Sequence, residues 1–289
     1  MLRCAFLSTD NLEEFFVYDD LVKPYLEKLG WEVEDVSWHD KNCNYNQYDL
    51  VVVRSTWDYQ AHANEFLATL ERIEKSSARL ENHFQLLKWN FSKSYLKDLE
   101  NKGVPILPTI WLNEFDFQLA NDAFSYFDTN EIIIKPLVSA NADFTYRLTP
   151  NQLAENSQVM REQIAGKELM VQSFESSILE IGEHSLFYFN HAYSHCIKKR
   201  PGKGDFRVQE EHGGELFSVE PTQDMLNLSE QTLNALPEKA LYARVDILQT
   251  SKGLAIIEVE LIEPSLYFNM DSQSPERFAH AIHDLHYQK

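Results

Sequence analysis

Hydrophobic and polar residues in the first third of the chain recur with two periods, which predict strands and helices in turn. The predicted elements are a strand at 2–7, a helix at 11–29 ending at Gly30, a strand WEVEDVSW, a strand at 50–53 and a helix at about 60–75. The run 50–53 is apolar throughout, which is typical of a strand buried on both faces. Strands that alternate with helices predict a parallel sheet, which we place in an N-terminal α/β domain of residues 1–88.

The pattern changes in the rest of the chain, where strand-like runs follow one another more closely. The predicted elements are a helix in FSKSYLKDLENKG, a strand in VPILPT, a strand at 131–135, a helix at 150–165, three strands KELMVQSF, HSLFYFN and AYSHCIKK, a helix near 223–236, two strands LYARVDIL and LAIIEVELI, and a helix near 275–287. Three strands in succession favour an antiparallel meander. We predict a second domain at 89–289, with lobes at about 89–168 and 169–289.

Three carboxylates lie on the last two predicted strands. Glu258 and Glu260 share one face because side chains at i and i+2 of a strand point the same way, and Asp246 can lie across from them. Clustered carboxylates repel one another unless a hard cation is present, and an all-oxygen set of ligands favours Mg²⁺. The alternative is a solvated acidic face in an acidic protein.

Several cations stand out in a chain whose formal net charge is −19. Lys135 ends an apolar strand just before Pro136, where its ammonium is suited to bind phosphates, although it is equally typical of a lysine whose stem covers apolar surface. Lys93 and the basic segment KKRPGKGDFR add further positive charge. An anionic ligand reconciles these cations with an acidic protein, and we expect a polyphosphate.

Charge and composition exclude two classes of partner. The net charge of −19 is unfavourable for nucleic acid, which needs clustered Lys and Arg. No apolar run approaches the roughly 18 residues that span a bilayer, and the first residues lack the pattern of a signal peptide. The three cysteines lack metal-ligand or CxxC spacing, which suits a reducing compartment. We expect a cytoplasmic protein that binds neither nucleic acid nor membrane, and the sequence gives no signal for an oligomeric state.

The order of these segments resembles the ATP-grasp superfamily, in particular its glutathione-synthetase-like members. The resemblance covers the whole chain and rests on NFSKSYLKDLENKGVPILPT, IIIKPLVSA, ELMVQSF, KKRPGKGDFRVQEEHGG, ARVDI and IEVELIEPS. The segments RSTWDY, HSLFYFN and KRPGKGDFRVQEEHGG are most similar to cyclo-ligases of cycloserine biosynthesis, which close O-ureidoserine on its own carboxylate. The resemblance implies an α/β protein with α+β lobes: an ATP-grasp fold in which two lobes clamp ATP behind an N-terminal parallel α/β domain.

The resemblance also implies a role for individual residues. It assigns ATP binding to Lys93, Lys135, Ser139, Gln172, Ser173, Phe174 and Glu183, catalysis to Lys199 and Arg207, and one or two Mg²⁺, with Mn²⁺ as an alternative, to Asp246, Glu258 and Glu260. Two features depart from the family pattern. Glu260 stands where many members have asparagine, and the loop 138–145 has no glycine, so that Ser139 and Asn141 would replace the usual glycine-rich flap.

The activity implied by the resemblance is an ATP-dependent carbon–nitrogen ligase that activates a carboxylate as an acyl phosphate and passes it to an amine. Intramolecular cyclisation, intermolecular peptide ligation and a non-catalytic ATP-binding regulatory protein remain open. We expect an amino-acid-like small molecule near Arg54, Ser55, Thr56 and Asp58. They follow a parallel strand at the edge where ligands often bind, and an arginine fork pairs with a carboxylate. The alternative is a strand-end arginine before a capped helix.

Overall fold

The computed structural model describes residues 1–13, 15–139 and 142–287, which contain three separate sheets and the helices around them. The strands are β1 (Leu2–Ser8), β2 (Trp31–Ser37), β3 (Leu50–Ser55), β4 (Arg79–Glu81), β5 (Thr109–Leu112), β6 (Ile132–Pro136), β7 (Tyr146–Leu148), β8 (Leu169–Ser173), β9 (Glu183–Phe189), β10 (Ala192–Arg200), β11 (Glu215–Ser218), β12 (Tyr242–Thr250) and β13 (Gly253–Glu260). The α-helices are α1 (Lys23–Lys28), α2 (Ala63–Glu74), α3 (Phe84–Asn90), α4 (Tyr95–Asn101), α5 (Phe117–Phe127), α6 (Pro150–Gln163), α7 (Ser177–Glu180), α8 (Gln223–Asn234) and α9 (Ser274–Tyr287). Within these described residues, no helix is long and apolar enough to cross a membrane.

The first sheet is parallel throughout, with the strand order β2-β1-β3-β4. Every residue of β3 is buried, as its apolar sequence predicts. The parallel α/β sheet predicted for the N-terminal part is therefore confirmed. The carboxyl ends of β1 and β3 lead into two segments that reach the cavity described below.

The helix predicted at 11–29 is wrong over most of its length. Helix α1 covers only Lys23–Lys28, after a 3₁₀ turn at Asp19–Leu21. Pro24 lies at the start of α1, where its missing N–H leaves no hydrogen bond unmade, whereas in the middle of a longer helix it would break the pattern. Residues 15–18 lie outside any helix, and Phe15 lines the cavity.

The second and third sheets are antiparallel, with the orders β5-β8-β6-β7 and β11-β10-β9-β12-β13. The predicted meander of three strands is wrong in part, because β9 and β10 pair with each other while β8 joins β5 and β6. A lobe boundary at 168 would cut β8 away from its own sheet, so a division after Ser173 follows the hydrogen bonding better.

The strand predicted in VPILPT begins later in the chain. Pro105 and Pro108 have no N–H to donate to a ladder, and Ile106 forms only an isolated bridge to Ile256. The regular strand β5 starts at Thr109, directly after the second proline.

Buried side chains of α3 and α4 hold the last strand in register. The Asn90 amide donates to Val259 O at 2.8 Å and accepts from Leu261 N at 2.9 Å, and the Tyr95 hydroxyl accepts from Val259 N at 2.7 Å. Because Asn90 and Tyr95 are buried, these bonds satisfy backbone groups of the strand that cannot hydrogen-bond to water. They fix the part of β13 that carries Glu258 and Glu260.

Candidate active site

One cavity is lined by strands of the second and third sheets and by loops of the N-terminal part. It includes most of the residues predicted for the site: Lys93, Lys135, Ser139, Gln172, Ser173, Phe174, Glu183, Lys199, Arg207, Glu258 and Glu260. Asp246 lies just behind this lining, where its carboxylate contacts Lys199 and Arg244. The structure thus gathers these twelve residues around one space.

Part of the cavity wall is an apolar slot. The residues that line it are Leu107, Ile133, Phe174, Ile178, Leu248 and Ile257. The guanidinium of Arg147 lies 3.7 Å from the centre of the Phe174 ring, and the Gln172 amide donates to the Thr109 hydroxyl at 2.9 Å. These contacts fix the end of β8, and the slot is lined by apolar side chains of the kind that line ligand pockets.

The three predicted metal ligands share one face of the β12–β13 hairpin. Asp246 is paired directly opposite Glu258, and Glu260 lies two residues further along β13. Opposite Glu260 is Arg244, whose Nε lies 3.1 Å from both oxygens of Asp246 and whose Nη2 pairs with Glu260. Arg244 was missed from the sequence, although its place two residues before Asp246 puts it on the same face.

Carboxylates are the type of ligand that a hard cation prefers, but these three do not form a complete metal site by themselves. In the described part of the chain, no three His, Cys, Asp or Glu side chains are gathered closely enough to hold a metal. Instead Glu258 pairs with Lys93 at 2.9 Å and Asp246 with Arg244 at 3.0 Å. Burial alone would raise the pKa of Asp246, but Arg244 and Lys199 outweigh it and lower that pKa. Asp246 is therefore an ionised oxygen donor of the kind that Mg²⁺ binds.

Lys199 and Glu183 are neighbours across the β9–β10 pair and form a buried ion pair. Burial raises the pKa of Glu183, and Lys199 offsets only part of that effect. The pKa of Lys199 rises because Asp246 and Glu183 outweigh the opposing effect of burial. Lys199 is thus a fixed cation at the cavity wall, and the role of Glu183 in ATP binding stays a prediction.

Lys93 ties the loop after β6 to the acidic hairpin. Its Nζ donates to Ser139 O at 2.7 Å and lies 2.9 Å from Glu258 Oε1. Lys135 lies on β6. Its pKa is lowered mainly by burial, and Lys93 adds to the effect. An anion in the cavity would oppose this effect of burial and favour the charged form of Lys135.

The loop 138–145 keeps the backbone geometry that glycine usually supplies. Ala142 has φ 58° and Phe144 has φ 51°, both in the left-handed region. Left-handed turns are thus present in the loop despite its lack of glycine. The predicted contribution of Asn141 lies outside the described residues.

Arg207 reaches the cavity from the loop 201–214. Its Nη2 lies 2.7 Å from Asp205 Oδ2, and the ion pair raises the pKa of the guanidinium. A side chain at Gly214 would place Cβ 2.1 Å from Val208 O, so the loop requires glycine at this turn. Arg207 is only partly buried, in contrast to Lys199.

The predicted substrate residues Arg54, Ser55 and Thr56 are buried but lie outside the cavity lining, so this part of the prediction needs correction. The guanidinium of Arg54 is 1% exposed, and it donates to Asp19 Oδ1 at 3.0 Å and to Pro264 O at 3.0 Å. Its Nε and Nη2 are held by Asp19 and Pro264, whereas its buried Nη1 has no hydrogen-bond partner among the described residues, so Arg54 positions two segments that border the cavity.

Asp58 also lies outside the cavity lining, and its carboxylate is hydrogen-bonded to other residues of the N-terminal part. It accepts from Trp38 Nε1 at 2.7 Å and from the Thr9 hydroxyl, and it lies 2.6 Å from His39 Nε2. Its neighbours Trp57 and Tyr59 do line the cavity. The sequence also offers Trp57 and Tyr59 as groups that could stack on an amino-acid-like ligand, and aromatic side chains commonly line ligand pockets.

Comparisons with known proteins agree with this geometry. Residues 4–82 match the family described as D-cycloserine synthetase DcsG, N-terminal domain. The chain is 28% identical to the cycloserine biosynthesis protein DcsG of Streptomyces lavendulae, over 96% of each chain. The crystal structure of D-cycloserine synthetase DcsG superposes with a TM-score of 0.87 and 24% identity, covering 98% of this chain and 99% of that one.

A more distant solved structure has the same fold. The ATP-grasp ligase PsnB, in complex with a phosphomimetic variant of a minimal precursor, Mg and ADP, superposes with a TM-score of 0.68 and 12% identity over 98% of both chains. The predicted α/β ATP-grasp fold is therefore confirmed. The chain therefore has the ATP-grasp fold, and it is similar to D-cycloserine synthetase along its whole length.

Proposed function

We propose that this chain is an ATP-dependent ligase that activates the carboxylate of an amino-acid-like substrate as an acyl phosphate and joins it to an amine. The observation that carries the proposal is a single cavity in which an apolar slot adjoins Lys93, Lys135, Lys199 and Arg207, with Asp246, Glu258 and Glu260 on the facing hairpin. The cycloserine synthetase relative supports the same class of reaction.

The apolar slot beside Phe174 is suited to the adenine ring, and the cations next to it are suited to the phosphates. Lys93 donates to Ser139 O, and Lys135 lies near the end of β6; both line the cavity. Fixed cations that face a phosphate chain stabilise the charge that develops during phosphoryl transfer.

Asp246, Glu258 and Glu260 would hold one or two Mg²⁺ together with phosphate oxygens. Bound there, Mg²⁺ would neutralise negative charge on the phosphates. The solved PsnB complex, which contains Mg and ADP, supports a magnesium nucleotide in this fold. Before any ligand binds, Lys93 and Arg244 neutralise the carboxylates and keep the cleft stable.

The chemistry needs two transfers. An oxygen of the substrate carboxylate attacks the γ-phosphorus, the bond to the bridging oxygen breaks, and ADP leaves. An amine nitrogen then attacks the acyl carbon, phosphate leaves, and the nitrogen loses a proton. Lys199 and Arg207 are placed to balance the negative charge of the acyl phosphate, and closure of the loop 201–214 would exclude water.

The test is ADP release in the presence of candidate amino acids and of ureido and peptide carboxylates, compared with ATP alone. Product masses distinguish ring closure from peptide ligation, and hydroxylamine should trap the acyl phosphate as a hydroxamate. If ATP binds but no carboxylate stimulates ADP release or yields a hydroxamate, the non-catalytic nucleotide-binding alternative gains support.

Replacing Lys135 with methionine should weaken ATP binding about 10- to 100-fold, because hydrogen bonds to charged groups contribute about 1.5–3 kcal/mol. Calorimetric titration with a non-hydrolysable ATP analogue measures the change. The matched control is Lys75→Met, since Lys75 lies exposed directly after α2 and forms an ion pair with Glu71. Equal affinities for the two variants would contradict a phosphate contact by Lys135.

We also propose a cytoplasmic, reducing location. Cys4, Cys43 and Cys196 are free thiols. Cys4 and Cys196 are buried, and burial raises the pKa of Cys196 to about 12, so that it is unreactive.

A further inference from the structure

Aromatic side chains form a distinct part of the cavity wall next to Glu263. This aromatic pocket consists of Phe15, Trp57, Tyr59, Phe91 and Glu263. The rings of Phe15 and Trp57 have their centres 5.1 Å apart, and those of Tyr59 and Phe91 are 5.3 Å apart. Four separate chain segments thus build this pocket.

Glu263 is tied into this wall at two points. Trp57 Nε1 donates to Glu263 O at 2.8 Å, and the Tyr59 hydroxyl donates to the Glu263 carboxylate. Arg54, which donates to Pro264 O, holds the next residue of the same segment. The Glu263 carboxylate is therefore positioned rather than free to turn toward solvent.

Among the described residues, Glu263 lacks the ion-pair partner that the carboxyl groups of the acidic hairpin have. Asp246, Glu258 and Glu260 each have a lysine or arginine as an ion-pair partner. Across the ranges that the structure describes, Glu263 has no such partner, although it is only 9% exposed. Burial raises the pKa of Glu263 to about 8, and the nearby Glu260 adds to the effect. Lys93 offsets part of this rise, and an incoming cation would further favour the ionised form of Glu263.

We propose that Glu263 and the rings of Trp57 and Phe15 bind the ammonium group of the substrate, and that this pocket selects amino acids over carboxylates without an amino group. An ammonium over aromatic faces gains cation–π attraction, and the carboxylate adds a charge-assisted hydrogen bond. This inference rests on the proposed function for the identity of the substrate, but the pocket itself can be tested separately.

The proposal also restricts the chemistry of the substrate. A nitrogen held as ammonium has no lone pair, so the group bound by Glu263 does not attack the acyl phosphate. The nucleophile is then a second nitrogen, on the same molecule or on another. The substrate carboxylate points toward Lys199 and Arg207, and the ammonium points away from them toward Glu263.

The first experiment does not depend on ligase activity. Binding of propylammonium to the full-length protein is followed by intrinsic tryptophan fluorescence and calorimetry, with 1-propanol as the uncharged probe of similar size. Wild type and the surface control Glu71→Gln should bind propylammonium and not 1-propanol. Glu263→Gln should weaken that binding at least about tenfold, and Trp57→Leu should weaken it several-fold.

The second experiment uses the substrate that the ADP-release screen identifies and its analogue with hydrogen in place of the amino group. Wild type should favour the amino acid in kcat/KM by about 100-fold or more, and Glu263→Gln should move this ratio toward one. Thermal melting shows whether each variant is folded, and Trp57→Leu provides the test if Glu263→Gln is not. A ratio unchanged by either folded variant, or propylammonium binding equal in wild type and Glu263→Gln, would overturn the proposal. A failed screen with intact propylammonium binding would count against the ligase function alone.

Discussion

The variant Glu258→Gln should lose turnover by about 100-fold or more while remaining folded, because it removes one charge from the centre of the acidic hairpin. Glu258 lies directly opposite Asp246 and forms an ion pair with Lys93. Glutamine has the same shape but binds a hard cation poorly, and it no longer offsets the charge of Lys93. ADP release and hydroxamate formation measure the loss.

Binding of Mn²⁺ to the complex with ADP, followed by electron paramagnetic resonance, gives a readout that does not depend on turnover. Glu258→Gln should bind Mn²⁺ more weakly than wild type. The matched control Glu71→Gln, on the exposed face of α2, should change neither measurement. If Glu258→Gln turned over at the wild-type rate, Glu258 would have no role in the reaction.

The acidic hairpin could be predicted from sequence because its geometry is local. Two strands joined by the turn at Gly253 have a period of two, so the shared face of Glu258 and Glu260 follows from their spacing alone. What the spacing did not give is the state of those carboxylates. Each is neutralised by Lys93 or Arg244, and that pairing depends on the exact register of β12 and on the position of α4.

The larger errors concern contacts between distant segments. KELMVQSF reads as a strand and is one, but nothing in its own pattern says that β8 pairs with β5 and β6 rather than with β9. The helix at 11–29 failed for a local reason that was present in the sequence, since Pro24 marks a helix start. That error hid the loop that brings Phe15 to the aromatic pocket.

Arg54 is a second case in which a contact between distant segments could not be predicted from the sequence. A strand-end arginine followed by polar residues has the composition of a ligand site, and the sequence left a structural role as the alternative. The deciding fact is Asp19, 35 positions earlier, whose buried carboxylate meets the guanidinium. No local pattern predicts such a pair.

Replacing Arg54 with alanine should therefore destabilise the protein by about 3–5 kcal/mol, the usual cost of removing one partner from a buried ion pair. The change would leave Asp19 buried without its partner and Pro264 O without its donor. It would also remove the contact of the guanidinium with the Tyr242 ring, 5.3 Å away. Urea unfolding measures the shift.

The matched control is Arg3→Ala in the same sheet, where Arg3 forms a more exposed ion pair with Glu34 and should cost less than about 1 kcal/mol. In the double variant Asp19→Ala with Arg54→Ala, the loss should be smaller than the sum of the two single losses, because neither charge is left alone. If Arg54→Ala unfolds at the same urea concentration as wild type and only raises the KM for the substrate, its guanidinium contacts the substrate directly. In that case the pairing with Asp19 would describe only the ligand-free protein.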